Sequence, residues 1–317
     1  MESFAYSIAP DGTGMRLGPD AVALPEAAFL WRHIDGRDEK HCAWLSAQSG
    51  IPETVVAALT SVETRPRVGL VGDGALVNLR GVSLEEGGDP SDLVSVRIWV
   101  ERGLLLTMNF RDTGAIAAME EAIAARRIRD EGDFITELAH ATTERLGELL
   151  ARLSGELDLI EEEVIAERSG ALRVRIGAAR RTAIELRRHM GPQREALIQL
   201  AAGVLPIFED NDRAHLAEAA NSVTRMLEEI ESIREQGAVL FEQLTDLRNE
   251  RVAQRAMVLS IVSAIFLPLS YIAGLIGMNV QGIPYAQAEW AFWGIVAMNA
   301  AIAIGVLLWL RAKGWFS

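Results

Sequence analysis

The spacing of apolar and polar positions divides the chain into two kinds of sequence. Up to about Arg255, charged and apolar residues alternate closely, as in a protein folding in water. From Ala256 to Ala288 there is no Asp, Glu, Lys or Arg, and Trp290 to Leu310 is a second uncharged apolar stretch. Ala256 to Ile276 is long enough to cross a bilayer as a helix at about 1.5 Å per residue, and so is the second stretch. Backbone groups in lipid must bond within their own segment, so both are expected to be helices.

Residues 1–112 read as a mixed α and β domain. Strands are expected over 28–34, 68–71, 75–79, 93–100 and 104–110. Val94, Val96, Ile98 and Val100 alternate with Ser95, Arg97 and Trp99, the pattern of a half-buried strand. Gly72-Asp73-Gly74 and Glu101-Arg102-Gly103 read as hairpin turns. Short helices are expected over 38–48 and 52–61, with Pro52 at a first helical position.

From Ala115 the period becomes helical. Gly170 and Gly191-Pro192 read as breaks, giving helices near 115–127, 132–168, 171–190 and 193–203. Asp210 or Asn211 is placed to cap the next helix. Only Gly237 interrupts the pattern between Asp212 and Phe266, so one helix is expected to run to Ile276, about 100 Å in all. A helix of that length cannot bury its faces alone and needs partners, most simply copies of itself.

The domain plan is therefore 1–112 for the α/β domain and 113–210 for a helical region. A stalk helix entering the membrane takes 211–276, and a loop 277–289. The second span is 290–310, and 311–317 form a tail. The fold class is an α+β domain followed by a long helix and two C-terminal transmembrane helices.

Heptad spacing along the long helix gives Glu228, Glu235, Glu242, Asn249, Ala256, Ser263, Ser270 and Gly277. Beside it run Ser232, Val239, Asp246, Ala253, Ser260, Leu267 and Gly274. Positions three, four and seven apart share a helix face. The combined stripe is acidic in its soluble part and small or hydroxylic at lipid depth. It suits a cation path on the axis of a ring, with carboxylates at the entry and hydroxyls within. It equally suits plain helix packing, since small residues and Ser recur where transmembrane helices meet.

Charge and composition narrow the function. The net charge of −13 argues against a nucleic-acid binder, which needs a basic surface. Cys42 is the single cysteine, so neither an intrachain disulfide nor a Cys-rich zinc site is expected. No basic-then-apolar leader opens the chain. Arg248, Arg251 and Arg255 precede the first span, and Arg311 and Lys313 follow the second. Residues 280–289 carry no Lys or Arg. The positive-inside rule then places both termini in the cytoplasm. Trp290, Trp293, Trp309 and Trp315 flank the second span, as interfacial indoles do.

Five histidines are scattered. His41 adjoins Cys42, but neighbours on a helix point about 100° apart and rarely chelate together. His215 stands near acidic residues at the start of the long helix. These three are the metal-ligand candidates outside the pore. Arg173, Arg175, Arg180, Arg181, Arg187, Arg188 and Arg194 form a basic stretch expected to offset Glu156, Asp158 and Glu161 to Glu163. No phosphate loop or nucleophilic triad appears, so no enzyme and no ATP hydrolysis is expected. Any transport would run down a gradient or be coupled to another ion.

The first span ends Tyr271-Ile272-Ala273-Gly274-Leu275-Ile276-Gly277-Met278-Asn279-Val280. Gly277-Met278-Asn279 after one span and before a last one resembles the signature of the CorA metal-ion transporter superfamily. The likeness covers the whole chain in architecture and is specific at residue level from Pro268 to Pro284. Val280-Gln281-Gly282-Ile283-Pro284 resembles the zinc-transporting ZntB branch. Magnesium-transporting members more often carry acidic residues in this loop, where Gln281 and Tyr285 stand here, and a denser basic cluster at the C-terminus.

The resemblance implies a homopentameric funnel in a bacterial inner membrane. It has no tightly bound cofactor, zinc or another divalent cation as its cargo, and protons as a candidate coupled ion. It places Gly277, Met278 and Asn279 at the periplasmic mouth, with five Asn279 amides holding a hydrated cation. Gly277 would let the backbones approach and turn. Leu259, Ser260, Ser263, Leu267, Ser270 and Gly274 would line the pore, Leu259 and Leu267 as apolar constrictions. Glu228, Glu235, Glu242 and Asp246 would form the acidic funnel. A magnesium or cobalt channel of the same superfamily is the alternative. From another class, a membrane-anchored coiled-coil scaffold or sensor also fits the helices.

Overall fold

A computed structural model describes residues 2–48, 50–61, 64–84, 92–165, 171–203, 205–278, 283 and 288–313. The chain divides into two compact units, Met1–Phe241 and Glu242–Ser317.

The first unit is built on a seven-stranded sheet. Its strands are β1 (Phe4–Ile8), β2 (Gly14–Leu17), β3 (Phe29–Asp35), β4 (Arg67–Val71), β5 (Gly74–Val82), β6 (Leu93–Glu101) and β7 (Leu104–Asn109). The order is β2-β1-β3-β7-β6-β5-β4. Only β3 and β7 run parallel, with Leu30 opposite Leu104. The two expected hairpin turns are present, and Gly72 and Gly103 take the positive φ that such turns require.

β1 and β2 were not anticipated. Phe4, Tyr6 and Ile8 do alternate, but the strand is short and its partner is a four-residue edge. Burial on both faces also differs from the expectation for β6, whose residues from Leu93 to Val100 are all buried. One face meets α1 (Glu39–Gln48) and α2 (Glu53–Thr60), where Leu45, Val55 and Leu59 pack on Leu76, Trp99, Leu106 and Met108. Two polar side chains on that face make local bonds. Ser95 and Thr64 share a hydroxyl bond of 2.5 Å, and Arg97 donates to the Ser61 carbonyl at 2.7 Å. The Arg97 guanidinium also lies over the Phe110 ring, 4.4 Å from its centroid. Pro52 precedes α2 with ψ of 138°, so it stands at the cap rather than inside the first turn.

Helices α3 (Ala115–Ala124) and α4 (Glu131–Ile165) follow the sheet, then α5 (Leu172–Ala201) and the long α6 (Asp210–Ile276). α5 crosses Gly191-Pro192 without a break. Proline there removes one backbone donor, but the turn is pinned on both sides by buried Met190, Gln193, Ala196 and Leu197. Gln193 contributes a specific tie. Its Nε2 donates to the Arg80 carbonyl at 3.2 Å, and its Oε1 accepts from the Arg80 amide at 2.7 Å. Arg80 lies beyond the register of β4, so the Gln193 amide replaces a missing strand neighbour.

α6 starts at Asp210. Asp212 Oδ2 accepts from the Glu209 amide at 2.9 Å, and so supplies the end contact expected of Asp210 or Asn211. Within the first unit, α6 buries Leu216, Ala220, Val223, Ile230, Ile233 and Leu240 at heptad-like intervals. Gly237 does not interrupt it. A Cβ there would come within 2.8 Å of Arg180 Cγ, so the glycine permits close approach to α5. The basic stretch on α5 is partly offset as expected. Arg175 pairs with Glu156 at 2.9 Å and Glu163 at 2.7 Å, while Arg187 reaches Glu231 at 3.4 Å.

The second unit holds the end of α6 and α7 (Ala291–Ala312). Both helices are long and apolar enough to cross a membrane. On α6, Met257, Ile261, Ile265, Pro268, Leu269, Ile272 and Ile276 are the less exposed positions. On α7 they are Ala291, Ile295, Asn299, Ile302, Ala303, Val306 and Leu310. Each set forms one stripe, as expected for two helices that pack along one side.

Candidate ion pathway

In the soluble part of α6 the charge pattern follows directly from burial. The apolar stripe is spent on α4 and α5, so the opposite face keeps polar residues. Glu228, Glu235, Glu242 and Asp246 are all exposed, and none makes an ion pair among the described residues. By contrast Glu231, one step round the helix, is paired with Arg187 and Arg234. The four carboxylates therefore keep their charge available on one side of the helix.

The stripe passes the unit boundary at Glu242 and continues in sequence beyond Asp246. Ser260, Ser263, Ser270, Gly274 and Gly277 are exposed, and so are Leu259 at 68%, Leu267 at 77% and Met278. Exposure is common in this part of the helix, so it separates these residues less sharply than it does the glutamates. Ser260 Oγ donates to the Ala256 carbonyl at 2.9 Å, the usual way for a hydroxyl to be satisfied in an apolar helix. The Gly277 amide still donates to the Ala273 carbonyl at 2.9 Å, so the helical path extends to the first residue of the tripeptide. Asn279 lies outside the described residues, as do Val280, Gln281, Gly282, Pro284 and Tyr285.

The metal candidates outside the stripe fall in separate places. His215 is exposed and lines a cleft of about 560 Å³ between α4 and the start of α6, with Glu137, His140, Asp212 and Glu218. Burial pushes the Asp212 carboxyl up, and Asp130 and Asp133 add to the shift. His41 Nδ1 lies 2.6 Å from Asp38 Oδ2, while the Cys42 thiol donates to the Gly36 carbonyl at 3.6 Å. Burial raises the Cys42 pKa, which disfavours the thiolate a metal would need. Among the described residues no group of three or more His, Cys, Asp or Glu is placed to hold a metal ion.

The sequence reading passes over one polar side chain. Asn299 sits in the middle of α7 on its less exposed stripe, and its Oδ1 is inaccessible and accepts no hydrogen bond. A single amide inside an apolar run was the available signal.

A chain with an exposed acidic stripe, two terminal spans and a helical link between them has a specific counterpart among known families. The family model described as CorA-like Mg2+ transporter protein matches residues 26–312. The chain belongs to this family. It is 35% identical over 297 residues to the divalent cation transporter CmaX of Pseudomonas aeruginosa, covering 92% of this chain and 89% of that one. The solved full-length CmaX structure superposes with a TM-score of 0.84 at 33% identity, over 98% of this chain and 97% of that chain. The zinc transport protein ZntB of Yersinia enterocolitica is 28% identical over 98% of this chain and 95% of its own length. The CorA magnesium transporter of Methanocaldococcus jannaschii gives a TM-score of 0.86 at 21% identity, covering 100% and 99% of the two chains, which shows the shared fold. The resemblance to ZntB thus extends along nearly the whole chain, and CmaX stands beside it at higher identity.

Proposed function

We propose that this CorA-like protein moves divalent cations across a bacterial inner membrane, with zinc as its preferred cargo. The working form is a homopentamer with both termini in the cytoplasm. The observation that carries this reading is the stripe on α6. It is exposed beside a well-buried α6 face in the first unit, carries carboxylates with no ion pair among the described residues, and changes to hydroxyls where the sequence becomes apolar. Gathered around an axis, those carboxylates raise the local cation concentration. Ser260, Ser263 and Ser270 offer oxygens to a partly hydrated ion, while Leu259 and Leu267 narrow the path. Gly277, Met278 and Asn279 form the outer mouth, where the amide oxygen holds a cation through its water shell. The uncharged Gln281 and Tyr285 and the sparse basic tail favour zinc over magnesium.

The test is flux of individual metals into proteoliposomes loaded with a metal-sensitive dye. Zinc entry that exceeds magnesium entry is the expected result. Magnesium or cobalt flux alone would transfer the chain to the alternative cargo, and absence of any flux would remove the transport reading. Asn279→Ala is expected to cut zinc flux by more than about tenfold, since the ring would lose every amide contact with the ion's hydration shell. Unchanged flux would remove Asn279 from the mouth.

A further inference from the structure

The first unit holds a small cleft that the transport reading does not use. It has a volume of about 180 Å³ and lies between β1, β2 and the start of α3. His33 lines it. The ring is fully buried, and its Nε2 is inaccessible with no hydrogen-bond partner among the described residues. Nδ1 is taken up by Thr107 in the sheet, which leaves Nε2 as the ring's polar contribution to the cleft. A buried polar atom without a partner is costly, so its missing partner is a signal.

The hydrogen-bond chain behind the ring fixes where the imidazole proton sits. Trp31 Nε1 can only donate, and it donates to Thr107 Oγ1 at 2.9 Å. The Thr107 hydroxyl proton then has one acceptor among the described residues, His33 Nδ1 at 3.0 Å. Nδ1 therefore accepts, and the neutral ring carries its proton on Nε2. The opposite tautomer would strand both that hydroxyl proton and the Nε2 lone pair. Burial keeps the ring neutral by holding its pKa down at about 4. The cleft is thus offered an N–H donor, not a lone pair for a metal.

Other donors line the same cleft. Ile116 and Ala117 belong to the first turn of α3, which carries no acidic residue of its own. Neither amide meets an acceptor among the described residues, and the helical bonds begin with the Ala118 amide on the Gly114 carbonyl at 3.1 Å. Such a helix start attracts negative charge. Arg16 adds a guanidinium that stands 3.8 Å from Glu2 and from Glu120, too far for a hydrogen bond to either. Acids supply the rest of the lining: Glu2 and Asp112 are exposed, and Glu120 is half-buried. Three carboxylates against one guanidinium repel a bare anion, while the buried donors repel a bare cation. A molecule that carries both signs suits both sets of groups.

We infer that this cleft binds a small zwitterionic amino acid, its carboxylate accepting from His33 Nε2, Arg16 and the first turn of α3, and its ammonium facing Glu2 and Asp112. The volume is well below that of sites for drug-sized ligands, so the ligand is the size of glycine or alanine. All these groups belong to the first unit, so the site stands independently of the pore.

Equilibrium dialysis of the full-length chain in detergent against radiolabelled glycine tests it. Saturable binding of one glycine per chain is the expected result. Acetate and methylammonium each carry half of the charge pattern, and each should compete at least about tenfold less well than glycine. Arg16→Gln removes a charged donor and should weaken binding about tenfold. Ala117→Glu brings a carboxylate onto the first turn of α3, which suits the helix dipole, and should abolish binding while the chain unfolds no earlier. Without saturable glycine binding, the cleft would hold water only. Acetate competing as well as glycine would make it a plain anion site, and binding that survives both substitutions would place glycine elsewhere. Each of these three results would overturn the assignment.

Discussion

The two units turn their apolar surface in opposite directions. In the first it faces inward, and the fully buried His33 has one ring nitrogen engaged while its Nε2 has no partner among the described residues. Its Nδ1 lies 3.0 Å from Thr107 Oγ1, which also accepts from Trp31 Nε1 at 2.9 Å, and the Phe4 ring packs 5.2 Å away. In the second, Asn299 keeps a buried oxygen without a partner, and the rest of the apolar helix surface is outward. The soluble unit closes on itself because water surrounds it. The membrane unit leaves its apolar faces for lipid and for other helices. Exposed leucine therefore means different things in the two. On the first unit it is incidental surface, whereas on the second it is the expected boundary with the solvent that unit has.

The largest effect that would sharpen this contrast comes from two truncations on the same helix. Ile230 is completely buried in the first unit, and Ile230→Ala should cost about 2 to 5 kcal/mol through lost burial and the cavity left behind. Leu267 is 77% exposed, so Leu267→Ala removes few packed atoms and should change stability by less than about 1 kcal/mol. Chemical denaturation of the soluble unit and thermal unfolding of the whole chain in detergent measure the two. If Leu267 forms the apolar constriction of the proposed pore, zinc flux in Leu267→Ala should rise, because a ring that resists wetting would be widened. Equal stability losses at both positions would erase the distinction between the units.

Next in size is a pH effect confined to the first unit. Burial holds the His33 pKa down at about 4, against an ordinary value near 6.5, while Asp35 pulls the other way. Between those values the unfolded chain binds a proton that the folded chain refuses. Stability from this group is thus fully present above pH 6.5 and falls as pH drops toward 4, by about 3 kcal/mol in the limit. His33→Gln should flatten that slope between pH 6.5 and 4, followed by denaturation at stepped pH. A slope unchanged by the substitution would show that His33 is solvated in the folded state.

How much of this was legible depended on whether the signal was local. The central strands and the two spans were readable because each is a run of one period, and β3 to β7 sit within a few residues of their expected bounds. The edge hairpin β1–β2 was missed because four residues carry little pattern. Gly191-Pro192 misled because the contacts that hold α5 through it, above all Gln193 against Arg80, come from a strand more than a hundred positions away. For the same reason local alternation understated the burial of β6: only the fold brings α1 and α2 onto its second face. In the candidate pathway, the acidic stripe could be read from heptad spacing alone. Whether its carboxylates were paired could not, since that depended on where the arginines of α5 and α6 fell.

The smallest expected effect concerns those carboxylates. Glu228, Glu235, Glu242 and Asp246 are exposed and make no ion pair among the described residues, and under the proposed reading they act on a passing cation by long-range attraction. Such attraction fades beyond about 10 Å at 0.1 M salt and reaches several times further at 0.01 M. Replacing Glu235 and Glu242 with Gln should lower zinc flux roughly twofold to fivefold at low ionic strength and leave it nearly unchanged at high ionic strength. Unfolding should not shift, because neither side chain has an ion-pair partner to lose among the described residues. A loss of flux that persists at high salt would mean that the carboxylates bind the metal directly, and α6 would then carry metal ligands rather than a charged approach.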